Sequence, residues 1–75
     1  MNNEEDTLEI YRLIIGEDEA EYEATGTISE YLIERAARFG NKLGRQRKQI
    51  KECEIVQDKL SGGWIIVCYC ERCLI

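Results

Sequence analysis

Apolar residues alternate across both faces of the stretch LEIYRLII. Leu8, Ile10 and Ile14 would line one side of a strand, and Tyr11, Leu13 and Ile15 the other. The pattern predicts a strand over 8–15 that is covered on both faces. Gly16 and the acids after it read as a turn. AEYEATG then sets Ala20, Tyr22 and Ala24 against Glu21 and Glu23, which predicts a second, weaker strand over 20–26. Beyond Thr27 the period changes. Ile28, Leu32, Ala36, Phe39 and Leu43 recur every three or four residues and form one helical stripe. Thr27 and Glu30 have the spacing of a capping box, Glu34 and Arg38 that of a helical ion pair, and Gly44 is the expected stop. QIKECEIVQDK reads as a strand with polar positions, LSGG as a hairpin turn, and WIIVCYC as a strand apolar on both faces.

The expected fold is therefore α+β: a four-stranded, mainly antiparallel sheet with one helix packed on one face, in the order strand-strand-helix-strand-strand. Strands 8–15 and 64–70 are expected at the centre, with 20–26 and 50–59 at the edges. The chain reads as one small domain over 1–75, with 1–6 expected to be disordered. One helix covers only one face of such a sheet. The uncovered face, or an exposed edge strand, predicts a homodimer or a covering partner protein.

Composition narrows the chemistry. A core built from 75 residues is marginal, and small domains often add a disulfide, a metal or a second subunit. The chain has no His, so the usual general base and the commonest metal ligand are missing. Without it no nucleophile–base pair assembles readily, no phosphate-binding glycine loop is present, and no enzyme activity is expected. No apolar run approaches the length of a membrane span, and MNNEEDT is too acidic for a signal peptide. The expected location is the cytoplasm, or the host cytoplasm if the protein is viral, with no membrane partner.

The net charge of −5 conceals a strong asymmetry. Residues 1–26 carry nine acids and one base, Arg12, whereas residues 35–51 carry seven bases and no acid. Ordered carboxylates can imitate a phosphate backbone. Glu17, Asp18, Glu19, Glu21 and Glu23, with Tyr22 as an aromatic anchor, are therefore the candidate partner-binding residues. Solvation of a small protein is the plain alternative. Arg45, Arg47, Lys48 and Lys51 are the candidate nucleic-acid contacts, weighed against a simple complement to the helix dipole.

Four cysteines remain: Cys53, Cys68, Cys70 and Cys73. A two-residue loop at Ser61-Gly62 would set Cys53 opposite Cys70, with Cys68 on the same face. Three readings stay open: small buried core residues, a structural zinc site, or a disulfide, chiefly Cys53–Cys70. No cofactor is expected other than that zinc.

In size, acidity and lack of catalytic groups the chain resembles the small phage-encoded inhibitors of host defence, such as anti-CRISPR proteins. The resemblance is one of type and carries over no site residues. It implies a small acidic non-enzymatic protein that occupies a surface of a nucleic-acid-handling protein complex. The alternatives are a small nucleic-acid-binding regulator using the basic 45–51 stretch, with direct nucleic-acid contact, and a zinc-stabilised structural module.

Overall fold

The computed structural model describes residues 8–71, so Cys73 and the expected disorder of residues 1–6 lie outside the described residues. The described chain is α+β, with a three-stranded antiparallel sheet and two helices. Strand β1 spans Leu8–Ile15, helix α1 Glu17–Glu23, helix α2 Ile28–Arg45, strand β2 Gln49–Gln57 and strand β3 Trp64–Glu71. The sheet order is β1-β3-β2.

The expected second strand is helix α1 instead. Ala20 and Ala24 share a face under either period, since a separation of four residues is even for a strand and one turn for a helix. Tyr22 separates the two cases: a strand would bury it with the alanines, and it is 88% exposed. Glu17, Asp18 and Glu19 fill the first turn of α1, where carboxylates suit the helix dipole. Ala20 is fully buried, so the helix is pinned by one small side chain. With no strand beside it on that side, β1 is an edge of the sheet and not a central strand.

Helix α2 forms as its pattern predicts. Thr27 Oγ1 accepts from the Glu30 N–H at 3.1 Å, and Glu30 Oε2 accepts from the Thr27 N–H at 3.2 Å. Leu32 and Leu43 are buried, and Ile28, Ala36 and Phe39 pack against the same core with Ile15, Ala20, Ile66, Cys68 and Cys70. The Glu34–Arg38 pair also forms. The helix runs past Gly44 and closes in a Schellman motif. There the Lys48 N–H donates to Leu43 O at 3.0 Å and the Arg47 N–H to Gly44 O at 2.9 Å. Arg47 holds the left-handed position of that motif, φ 62°, where glycine is usual.

The β2–β3 connection is longer than a two-residue turn. The Asp58 N–H donates to Gly63 O at 2.8 Å, and the Gly62 N–H to Asp58 O at 2.9 Å. The Asp58 carboxylate accepts from the Leu60 N–H and the Ser61 hydroxyl, and Gly62 has φ +78°. The last paired residues are Gln57 and Trp64, so β2 ends before Asp58. Gly63 lies against the end of β1: a Cβ there would sit 2.5 Å from Ile15 O.

Both helices lie on one face of the sheet. Tyr11, Leu13 and Ile15 of β1 and Trp64, Ile66, Cys68 and Cys70 of β3 turn toward them. The other face has no cover among the described residues. No helix among them is long and apolar enough to cross a membrane.

Candidate functional site

The acids of α1 and the bases of 45–48 are separated in space. β1 ends at the hairpin end of the sheet, where Ile15 pairs with Trp64, and α1 follows at once. Glu17 lies against the hairpin: a Cβ at Gly62 would meet its Oε2 at 2.6 Å. Helix α2 then runs back, 18 residues or about 27 Å at ~1.5 Å each. Arg45, Arg47 and Lys48 therefore sit at the far end, where β2 begins opposite Glu71. The longest extent of the molecule is 44 Å, against 27 Å for the next.

All five carboxylates of α1 are exposed, as is Tyr22. Glu19 accepts from Arg35 Nη1 at 3.3 Å, which ties α1 to α2. The same guanidinium donates to Tyr31 Oη and lies 5.9 Å from the centre of that ring. Glu17, Asp18, Glu21 and Glu23 make no ion pair among the described residues.

The basic candidates divide. Lys48 is occupied: its Nζ lies 3.7 Å from Glu9 Oε2 and 5.3 Å from the centre of the Tyr11 ring. The Tyr11 hydroxyl and then the Glu9 charge hold its pKa above the usual lysine value. Arg45, Arg47 and Lys51 are exposed, and Lys51 is the extra residue of a bulge between Ile50 and Glu52. A further basic feature lies outside the 45–51 stretch. Arg35, Arg38 and Lys42 rim a groove of about 220 Å³ whose floor is Leu13 and Phe39. The spacing of these three bases with Arg45, at three, four and three residues, was the available signal, since it puts them along one side of a helix.

The cysteine register differs from the two-residue-turn expectation. Cys53 pairs with Cys68, and Cys70 pairs with Ile50. The longer loop slides β2 by two residues, an even number, so Cys53, Cys68 and Cys70 still share the helix-covered face. Cys68 and Cys70 are buried, Cys53 is exposed, and all three are free thiols. Burial, then Cys53, pushes the Cys68 thiol up to about 12, and burial raises Cys70 as well. Among the described residues no group of three or more His, Cys, Asp or Glu is placed to hold a metal ion.

The uncovered sheet face is organised in rows. Ile14, Ile65 and Val56 form one, Arg12, Val67 and Glu54 the next, and Ile10, Tyr69 and Glu52 the third. Tyr69 Oη donates to Glu54 Oε1 at 2.8 Å, and that bond raises the tyrosine pKa. No family model matches this sequence, and no curated protein or solved structure is significantly similar to it.

Proposed function

We propose that the protein is a small acidic non-enzymatic binding protein, an inhibitor of the phage or mobile-element type, that occupies a surface of a nucleic-acid-handling protein complex. The observation that carries this reading is the display of α1. Five of its seven residues are exposed acids. At ~1.5 Å per residue they fall within about 10 Å, roughly one charge per 2 Å of helix axis. Duplex DNA carries one per about 1.7 Å. The short helix therefore matches the charge density that a nucleic-acid groove is built to receive, and Tyr22 stands among the acids as an anchor.

The test is competitive capture. Immobilised protein should retain a nucleic-acid-handling complex, and duplex DNA should release it. Reversing Glu17, Asp18 and Glu21 to Lys should abolish capture while the protein still folds, with at most a modest drop in melting temperature from the lost helix-dipole contacts. Reversing Arg45 and Arg47 to Glu should leave capture intact.

A second reading is direct nucleic-acid binding. It is favoured by the basic line Arg35, Arg38, Lys42 and Arg45, which leads from the groove to exposed Arg47. Under it the two sets of reversals would exchange their effects. Affinity for duplex DNA would fall by about 0.9 log units per neutralised phosphate for each tenfold rise in salt.

A further inference from the structure

The open sheet face carries a charge pattern that is complementary to itself under one particular rotation. Its rows run across β1, β3 and β2, with β3 in the middle. The central row is Arg12, Val67, Glu54: a cation on one edge strand, an apolar residue at the centre that is already buried to 7% exposure, an anion on the other edge strand. The row toward the hairpin, Ile14, Ile65 and Val56, is apolar, whereas the row on the other side ends in exposed Glu52 and the one beyond it, Leu8, Glu71 and Gln49, has Glu71 at its centre. Ile14 is 73% exposed, Ile10 46% and Val56 44%, a high exposure for β-branched side chains grouped on one face. Arg12 makes no ion pair among the described residues. Glu54 is exposed and uses Oε1 to accept from Tyr69, so its second carboxylate oxygen is a further acceptor.

Two copies packed face to face are related by a two-fold axis lying between the sheets. If that axis runs across the strands, β1 covers β1, and Arg12 meets the partner's Arg12. If it runs along β3, β1 covers the partner's β2. Arg12 then lies over the partner's Glu54, Val67 over the partner's Val67, and Ile14 over the partner's Val56. Only the second arrangement joins opposite charges, and it does so twice by symmetry; it also sets Glu52 over the partner's Ile10, and Glu71, at the margin of the face, near the partner's Glu71. Aligned sheets pack within about 30° of each other, which keeps the central row in register. With strands about 4.8 Å apart and residues about 3.3 Å apart, the two faces together bury on the order of 1,000 Å². That is the low end of specific interfaces, so association belongs in the micromolar range.

We propose that the open sheet face is the interface of a two-fold homodimer whose axis runs along β3, joining Arg12 of each copy to the partner's Glu54. The proposal gives the expected homodimer a geometry, and it does not depend on the role proposed for α1.

Charge exchange tests it. Sedimentation at tens of micromolar should show the unaltered protein as a dimer and Arg12→Glu and Glu54→Arg each as monomers. An equimolar mixture of the two variants should form a one-to-one heterodimer, because both of its contacts then join opposite charges. The double variant should again form a homodimer. A variant that merely failed to fold would not be restored by mixing. Ile14→Lys, at an exposed position, supplies an independent arm and should give a folded monomer. Three results would overturn the proposal: a monomeric parent protein, dimers that survive all of these changes, or Arg12→Glu pairing with the unaltered protein in preference to Glu54→Arg. The last would indicate the axis across the strands. A monomer that still captures its complex through α1 would overturn the dimer and leave the binding reading standing.

Discussion

Cys53 on β2 stands directly opposite Cys68 on β3, at a non-hydrogen-bonded site of the ladder. The site type follows from the Asp58 N–H to Gly63 O bond that closes the ladder just beyond Gln57 and Trp64, because hydrogen-bonded and non-hydrogen-bonded sites alternate along an antiparallel pair. Opposed Cα atoms at such sites lie about 4.5 Å apart, within the range a disulfide spans. In a Cys73→Ser background at alkaline pH, the exposed Cys53 thiolate should attack glutathione disulfide first, forming a mixed disulfide and releasing one glutathione thiolate. The Cys68 thiol, once deprotonated, would then attack the Cys53 sulfur and release the second glutathione to form Cys53–Cys68, slowly because burial raises its pKa. Peptide mapping should find that bridge and not Cys53–Cys70. In the reduced protein, alkylation at neutral pH should label Cys53 first, and should label Cys68 and Cys70 only on unfolding, since burial keeps both protonated.

Asp58 ties the hairpin loop together, and its contribution depends on ionisation. The Ser61 hydroxyl, then the Leu60 N–H, holds its carboxyl below the ordinary value of 3.8. A lowered folded-state pKa stabilises the protein fully above the unfolded value, and that stability is lost as pH falls through the folded value. Asp58→Ala should therefore melt at a lower temperature than the parent at pH 7. The gap should narrow as pH drops below about 4. A gap that is constant from pH 7 to pH 2 would show that the charge is irrelevant.

Two glycines should respond in opposite directions to alanine. At Gly63 the new Cβ would meet backbone atoms, Ile15 O at 2.5 Å and Gly16 Cα at 3.3 Å. Neither can move without shifting the junction of β1 and α1, so Gly63→Ala should cost roughly 1–3 kcal/mol. At Gly40, inside α2, the nearest atom is Ile50 Cδ1 at 3.6 Å, an ordinary contact. Gly40→Ala should stabilise by about 1 kcal/mol through helix propensity alone. Urea midpoints measure both.

Arg47 occupies a left-handed conformation that disfavours any residue with a Cβ. Arg47→Gly should raise stability by roughly 1 kcal/mol, whereas Arg47→Val should lower it, because β-branching worsens the clash. If Arg47 contacts nucleic acid, Arg47→Gly should weaken that binding while strengthening the fold. Denaturation and a filter-binding titration on the same variant separate the two effects.

What the sequence determined by itself is local or depends only on parity. The capping box of Thr27 and Glu30, the five-residue stripe of α2 and the Glu34–Arg38 pair each depend on neighbours within about one turn. The face shared by Cys53, Cys68 and Cys70 needed only an even offset between strands. The acids of α1 and the bases of 45–48 came to lie apart because helix α2 runs between them, whereas Glu9 of the same acidic segment sits with Lys48 at the basic end. The tertiary structure decided what local patterns leave degenerate. Ala20 and Ala24 fit a strand or a helix equally, and burial of Ala20 in the shared core, with Tyr22 left outside, made the segment a helix. That choice removed a strand and turned β1 into an edge. The extent of the hairpin loop was set by hydrogen bonds that the Asp58 side chain makes only once the turn has closed, and this moved the partner of Cys53 from Cys70 to Cys68. Nor did the two-sided apolar pattern of β1 say which side the helices would take. They cover Tyr11, Leu13 and Ile15 and leave Ile10 and Ile14 in the open, a choice made by packing between residues far apart in the chain.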